Sequence, residues 1–343
     1  MDTITHCLIG GLLAAALRQP ATRPAADAAP TPTCSPVLQA DLLPVAPATP
    51  TNPNRGLLAL MILASNLPDI DAVLQILPHG FNLRRTATHS LLGMPLLALA
   101  AAWLARWLTP QFCFSHRFTL ILGASVLHTL MDLPNSFGVA LLWPFTSRRF
   151  ELASVFVVDL VFWILPVTAL ILPWVWKRYR GRERALAGRV IVLLAIYTFG
   201  CTGARWLVHA RVSRELAAGE ELTVYHEPFG PGLWRAVVRN TAAQYRVYGV
   251  QLGPLLLGTE DGIKQAYVRR NDEATSTVQA ILRANPHAAR MHAFFRTPVW
   301  EVTSGTVRAV LRDLRFSSLR LSGRQPFVFE FGPDRLPGRE IQP

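Results

Sequence analysis

The alternation of apolar runs and polar breaks divides the chain into two unlike parts. Up to residue 209 the runs are long: 4–17, 57–77, 91–108, 118–133, 155–176 and 190–208. A membrane-crossing helix needs ~20 mostly apolar residues, because each adds about 1.5 Å against ~30 Å of hydrocarbon. The pattern therefore predicts a membrane all-α helical bundle of about six segments over 1–209. The first run is short and is expected to be tilted, re-entrant or buried. Pro68 should break the second. Residues 19–55 are rich in proline, alanine and threonine, which excludes a long regular element and predicts a flexible loop, with a short amphipathic piece near 37–43. From 210 to 343 the runs shorten. Those at 222–226, 234–238, 245–252, 299–302 and 327–331 alternate β-branched or aromatic residues with polar ones, as strands do. Residues 273–283 and 288–295 read as helices, so a small α+β domain is expected there.

Composition agrees with this division. The chain has 343 residues, enough for two domains. It is 51% hydrophobic and only 16% charged, which fits a membrane protein with a soluble part. Its net charge of +12 comes almost wholly from arginine. The densest basic cluster, Lys177, Arg178, Arg180, Arg182, Arg184 and Arg189, flanks an apolar run. It reads as a cytoplasmic topology signal in the cell inner membrane, and no nucleic-acid partner is expected. Counting spans outward from it places 210–343 on the extracytoplasmic side. Cys7, Cys34, Cys113 and Cys201 form no C-x-x-C pair and read as small buried hydrophobes, without a thiolate zinc site or a disulfide. The N-terminus lacks a basic region and a cleavage site, so it is read as part of the mature protein.

Against this background Asn66-Leu67-Pro68-Asp69-Ile70-Asp71 stands out. A bare charge at bilayer depth costs from about 2.5 to more than 10 kcal/mol. A divalent cation would offset that cost, and His6, His89, His128 and Asp132 also interrupt apolar runs. His128 and Asp132 are four apart and share one helical face. With span counting, His6, Asp69, Asp71, His89, His128 and Asp132 all fall in the outer leaflet. Asp2, Asp159 and Glu151 are further acidic groups that could join them. By ligand type the set suits Zn²⁺, Mn²⁺ or Fe²⁺. Such an ion makes hydroxide available near neutral pH. This chemistry suits hydrolysis of an ester or phosphoester in a lipid or lipid-linked substrate, with Asp69 and His128 catalytic and Arg85, beside Arg84, holding an anionic group. Each residue also has a plainer reading: Asp69 as a helix cap, Arg84 and Arg85 as headgroup anchors, His128–Asp132 as a structural pair. A second class of function is therefore a non-enzymatic transporter or scaffold whose polar cluster binds an ion or pins the bundle. A third makes the outer domain the functional module. There is no G-x-S-x-G elbow, H-E-x-x-H helix or glycine-rich phosphate loop.

Four stretches resemble the LexA-regulated inner-membrane metal-dependent hydrolases. They are Met1-Asp2-Thr3-Ile4-Thr5-His6 with Gly10, Leu67-Pro68-Asp69-Ile70-Asp71, Arg85-Thr86-Ala87-Thr88-His89-Ser90 and His128-Thr129-Leu130-Met131-Asp132. Trp143-Pro144-Phe145 also fits. The resemblance covers the first half to two-thirds of the chain. It implies a multi-pass membrane protein and metal-dependent hydrolysis, without supplying a substrate. The family often reads His-Arg-Gly where this chain has Arg84-Arg85-Thr86, which leaves Arg84 as a substrate contact rather than a ligand.

Overall fold

The computed structural model describes residues 2–18, 53–76, 83–240, 244–259, 262–302, 307–320, 328–332 and 339–340. The loop expected at 19–55 lies outside the described residues as far as 52, as does the amphipathic piece within it. Residues 53–55 instead open a helix.

Helix α1, Thr3–Leu17, starts at Asp2, whose carboxylate accepts the Thr5 amide at 3.0 Å and so satisfies an orphan donor of the first turn. Helix α2, Pro53–Asn66, packs along α1. A side chain at Gly10 would meet the Ile62 Cα at 2.7 Å, so only glycine permits this approach. After α2 the chain tightens into a 3-10 stretch, Leu67–Ile76. Pro68 has no N–H to continue an α-helical ladder, and the break falls where the sequence places it. Helices α3 (Gly93–Leu104) and α4 (Phe114–Asp132) complete a core of Leu60, Met61, Ala98, Ile121 and Ala124. Helices α5 (Val161–Val175) and α6 (Glu183–Val212) join α1 in a second core with Leu12, Phe162, Leu194 and Val208.

These helices do not form the expected six-segment membrane bundle. Among the described residues only Gly56–Leu74 and Glu183–Glu215 are long and apolar enough to cross a membrane. The reason is local: helices end inside the apolar runs. Asp159 accepts the Val161 amide at 2.9 Å, so α5 starts late and has 15 residues. Helix α3 stops after 12, where Ala105 opens a turn. At about 1.5 Å per residue such helices span roughly 18–23 Å, short of ~30 Å. Within α4, Arg117 is buried and tied to the carbonyls of Ala102 and Thr109 at 3.1 and 3.2 Å.

The C-terminal part is a β-sheet domain. Strands β1 (Glu221–His226), β2 (Leu233–Arg239), β3 (Gln244–Gln251) and β4 (Ile263–Arg270) form one antiparallel meander. After the short α7 (Leu252–Leu256), α8 (Ser276–Ala284) and α9 (Pro286–Phe294) cover a second meander. Its strands are β5 (Pro298–Val302), β6 (Ala309–Asp313), β7 (Val328–Phe331) and β8 (Arg339–Glu340). Strand β2 is buried along almost its whole length. Trp234 and Ala236 face the core shared with α6, while Val237 packs with Val299 and Leu314 of the second meander. Cys113 is disulfide-bonded, contrary to the expectation that no cysteine pairs, whereas Cys7 and Cys201 are free.

Candidate metal centre

Five elements meet at one buried polar point. The 3-10 stretch supplies Asp69 and Asp71. At three residues per turn, positions two apart point in different directions, so the two carboxylates cannot do the same job. They approach His89 from opposite sides: Asp69 Oδ1 lies 3.8 Å from His89 Nε2, and Asp71 Oδ2 lies 3.5 Å from His89 Nδ1. His89 ends a short 3-10 turn, Ala87–His89. Ser90 Oγ fastens this turn by donating to the Ala87 carbonyl at 2.8 Å and accepting the Gly93 amide at 2.9 Å. A Cβ on Gly93 would sit 1.7 Å from the Ala87 oxygen, so the turn depends on that glycine. Helix α4 supplies His128 and Asp132 from one face, with His128 Nε2 3.4 Å from Asp132 Oδ2.

Four donor atoms converge: one oxygen each from Asp69 and Asp132 and one nitrogen each from His89 and His128, all within 4.8 Å of one another. The two Nε2 atoms are 3.2 Å apart, and His89 Nε2 is 3.5 Å from Asp132 Oδ2. Asp69 Oδ1 is 3.8 and 3.9 Å from the two Nε2 atoms. In a tetrahedral site with bonds of about 2.0–2.1 Å, neighbouring donors are roughly 3.3–3.4 Å apart, which the spacings among His89, His128 and Asp132 match, while Asp69 stands further out.

The hydrogen bonds fix the ring tautomers. His128 Nδ1 lies 2.7 Å from the Ser65 carbonyl, which only accepts, so Nδ1 carries the proton. Thr88 Oγ1 donates to Asp71 at 2.8 Å, which leaves it an acceptor for His89 Nδ1 at 3.0 Å. In their neutral forms both histidines therefore turn an Nε2 lone pair toward the same point. Neither carboxylate oxygen of Asp69 has a hydrogen-bond donor, although both are buried. With both rings neutral the two Nε2 lone pairs face each other beside a donor-less carboxylate, and either a proton on one Nε2 or a bound cation resolves that contact.

The other expected residues surround this set. His6 stacks on His128 with ring centres 3.7 Å apart, and its Nε2 is 3.5 Å from Asp132 Oδ1. Arg85 does not face outward. It is buried, donates to Asp132 at 3.0 Å and to Asn135 at 3.1 Å, and its amide binds Asp71 at 2.7 Å. Its φ of 56° lies in the left-handed region, costing about 1–2 kcal/mol, and puts amide and side chain onto two different aspartates. Arg84 is the more open guanidinium, with Nη2 3.9 Å from Asp69. Asp2 serves as the α1 cap and also accepts from Trp163. Asp159, just ahead of α5, accepts the Val161 amide and, at 2.8 Å, the Tyr197 hydroxyl. Glu151 pairs with Arg296 at 3.6 Å, and burial raises its pKa.

Residues that the sequence did not single out complete the surround. Asn135 donates to Asp132 at 3.3 Å and accepts the Phe137 amide. The Phe137 ring is faced by Arg85, Arg84, Arg149 and Arg315 at 5.0, 5.6, 5.9 and 6.0 Å. Burial, and then the Arg315 and Arg85 charges, lower the Arg149 pKa to about 10. Arg315 comes from the turn after β6 and donates to the Ser136 carbonyl at 2.9 Å, tying the sheets to the loop beside the centre. An apolar cleft of about 550 Å³ between α2, α3 and α4 has Asp69 in its lining.

Comparison with known proteins gives the chain a family. The family model described as YdjM inner membrane protein matches residues 1–207, which contain every donor above. The chain is also 26% identical over 297 residues to YfhP of Bacillus subtilis (strain 168), described as an uncharacterized protein, covering 84% of this chain and 85% of that one. No solved structure matches.

Proposed function

Because the chain belongs to the YdjM inner membrane protein family, we propose that it is a membrane-embedded, metal-dependent hydrolase of an ester or phosphoester in a lipid or lipid-linked substrate. The observation that carries the reading is the pair of Nε2 lone pairs, 3.2 Å apart and flanked by two buried carboxylates. Asp69, His89, His128 and Asp132 would hold a Zn²⁺, Mn²⁺ or Fe²⁺ ion, which supplies Lewis acidity and hydroxide near neutral pH.

The remaining residues position these four. Asp71 and Thr88 orient the His89 ring, the Ser65 carbonyl orients His128, and Arg85 with Asn135 aims Asp132. Arg84 is the group placed to meet substrate charge. Hydrolysis puts the water oxygen on the acyl carbon or phosphorus and a proton on the departing alcohol. The basic cluster before α6 supports a cytoplasmic start for that span and an extracytoplasmic β-sheet domain.

The test is metal analysis of purified protein together with a panel of lipid carboxylic and phosphate esters. The expected result is stoichiometric transition metal and turnover of one ester class, both lost in Asp69→Asn and His128→Ala. Metal-free protein that keeps its fold and activity in chelator would overturn the reading. Stoichiometric metal with no turnover of any ester would favour a transporter or scaffold.

A further inference from the structure

The cleft beside Asp69 is not used by the donor set. Its walls are Leu60, Leu63, Leu104 and Leu108, with Ala64 and Ala101 between them, and its polar lining residues are Thr3, Asn66 and Asp69. Cavities of roughly 300–1,000 Å³ with mostly apolar walls and a few convergent polar groups are the usual form of small-ligand sites. Leu63 and Leu104 are 62% and 57% exposed, so the cleft opens toward the surroundings of the helices. In a protein of an inner-membrane family those surroundings are hydrocarbon. One turn of a helix, about 10 Å across and 5.4 Å long, takes roughly 420 Å³, so a cleft of about 550 Å³ holds little more than one turn, where a typical helix has about three or four. It has the capacity and lining for a hydrocarbon chain.

Asp69 also faces Arg84. The Arg84 Nε is buried without a hydrogen-bond partner, and its guanidinium lies over the Phe137 ring. A donor held in this way suits an anionic oxygen. We infer that the substrate is an anionic lipid phosphoester, seated with one hydrocarbon chain in the cleft and its phosphate against Arg84, so that the ester bond lies at Asp69. This rests on the hydrolase reading and names its substrate class.

The experiment measures binding, which needs no turnover. Full-length protein in amphipol is titrated calorimetrically with dodecyl phosphate, dodecanol and inorganic phosphate. Dodecyl phosphate is expected to bind wild type at least tenfold more tightly than either of the other two. Ala101→Trp, which fills the cleft, should weaken dodecyl phosphate and dodecanol at least tenfold and leave inorganic phosphate unchanged. Arg84→Gln should weaken dodecyl phosphate tenfold and spare dodecanol. If Ala101→Trp does not fold, Leu104→Trp at the exposed wall decides the same point. Binding of dodecyl phosphate that is absent in wild type, or unaltered by either variant, would overturn the inference. Binding as expected with no ester turnover would leave the cleft standing and remove the hydrolase. Turnover of chain-bearing esters that ignores the tryptophan would do the reverse.

Discussion

Asp69→Asn separates a metal ligand from a structural charge, because the two roles give opposite results in apo and loaded protein. Neither Asp69 oxygen accepts a hydrogen bond, so the amide removes no protein partner. Losing a buried, donor-less carboxylate relieves about 1–3 kcal/mol of desolvation. Against this stands the attraction to Arg84 at 3.9 Å. At an effective dielectric constant near 20 that attraction is about 4 kcal/mol. The Arg84 side chain is 22% exposed, so screening brings the value toward the ~0–1 kcal/mol of a surface pair. The apo variant should therefore melt within a few degrees of apo wild type. Metal changes the comparison. An ion at a hundredfold its Kd stabilises by about 2.7 kcal/mol. At about 2.1 cal/mol/K per residue a 343-residue chain has an unfolding entropy of about 0.7 kcal/mol/K, so this raises the melting temperature by roughly 4 °C. The assay is intrinsic fluorescence melting in detergent, read through the chain's nine tryptophans with and without Zn²⁺, Mn²⁺ or Fe²⁺. The variant should lose most of the metal-induced rise. An equal rise in both proteins would refute Asp69 as a ligand, and an apo variant many degrees less stable would make it structural.

Three further outcomes test the surround. Asp132→Ala leaves Arg85 buried without its carboxylate, so thermal unfolding should show a loss of about 3–5 kcal/mol, and wild-type stability would contradict the clamp. Gly93→Ala places a Cβ 1.7 Å from the Ala87 oxygen and should abolish folded protein or metal binding, whereas Gly123→Ala, with nothing within 4 Å, should be neutral in size-exclusion yield. In the β-sheet domain a hydrogen bond from His292 lowers the Glu273 pKa below its ordinary 4.5. Its contribution to stability is thus complete above that value and fades as pH falls through the lowered one, so Glu273→Gln should flatten the acid limb of melting temperature against pH below about 4.5. An unchanged acid limb would remove the pair from the account.

What could be read beforehand was local chemistry, and what could not was where helices stop. The i, i+4 spacing of His128 and Asp132 needs only helical geometry, and Pro68 cannot donate, so both were visible in the residue order. The lengths of α3 and α5 were not, because an apolar run carries no mark of the residue at which Asp159 takes up a backbone amide. Strand β4, with Lys264, Gln265, Arg269 and Arg270, is a polar edge strand and lacks the alternation that exposed β1, β2 and β3 to sequence reading. By sequence Arg85 reads as holding an anionic group beside Arg84, because adjacent arginines look alike; its left-handed backbone turns it inward while Arg84 stays open. Asn135 had a faint signal, lying three residues beyond Asp132 at the end of α4.

Arg315 sits far along the chain, yet its guanidinium is fastened to Ser136, one residue from Asn135. A stop codon placed after α6 would therefore spare every donor atom and still strip one side from the Phe137 ring. Supplying residues 213–343 as a separate polypeptide should then restore what the truncated form lost. The late strands thus act as a brace on the early helices, and a chain shortened to its family-matched portion should melt lower than the full one.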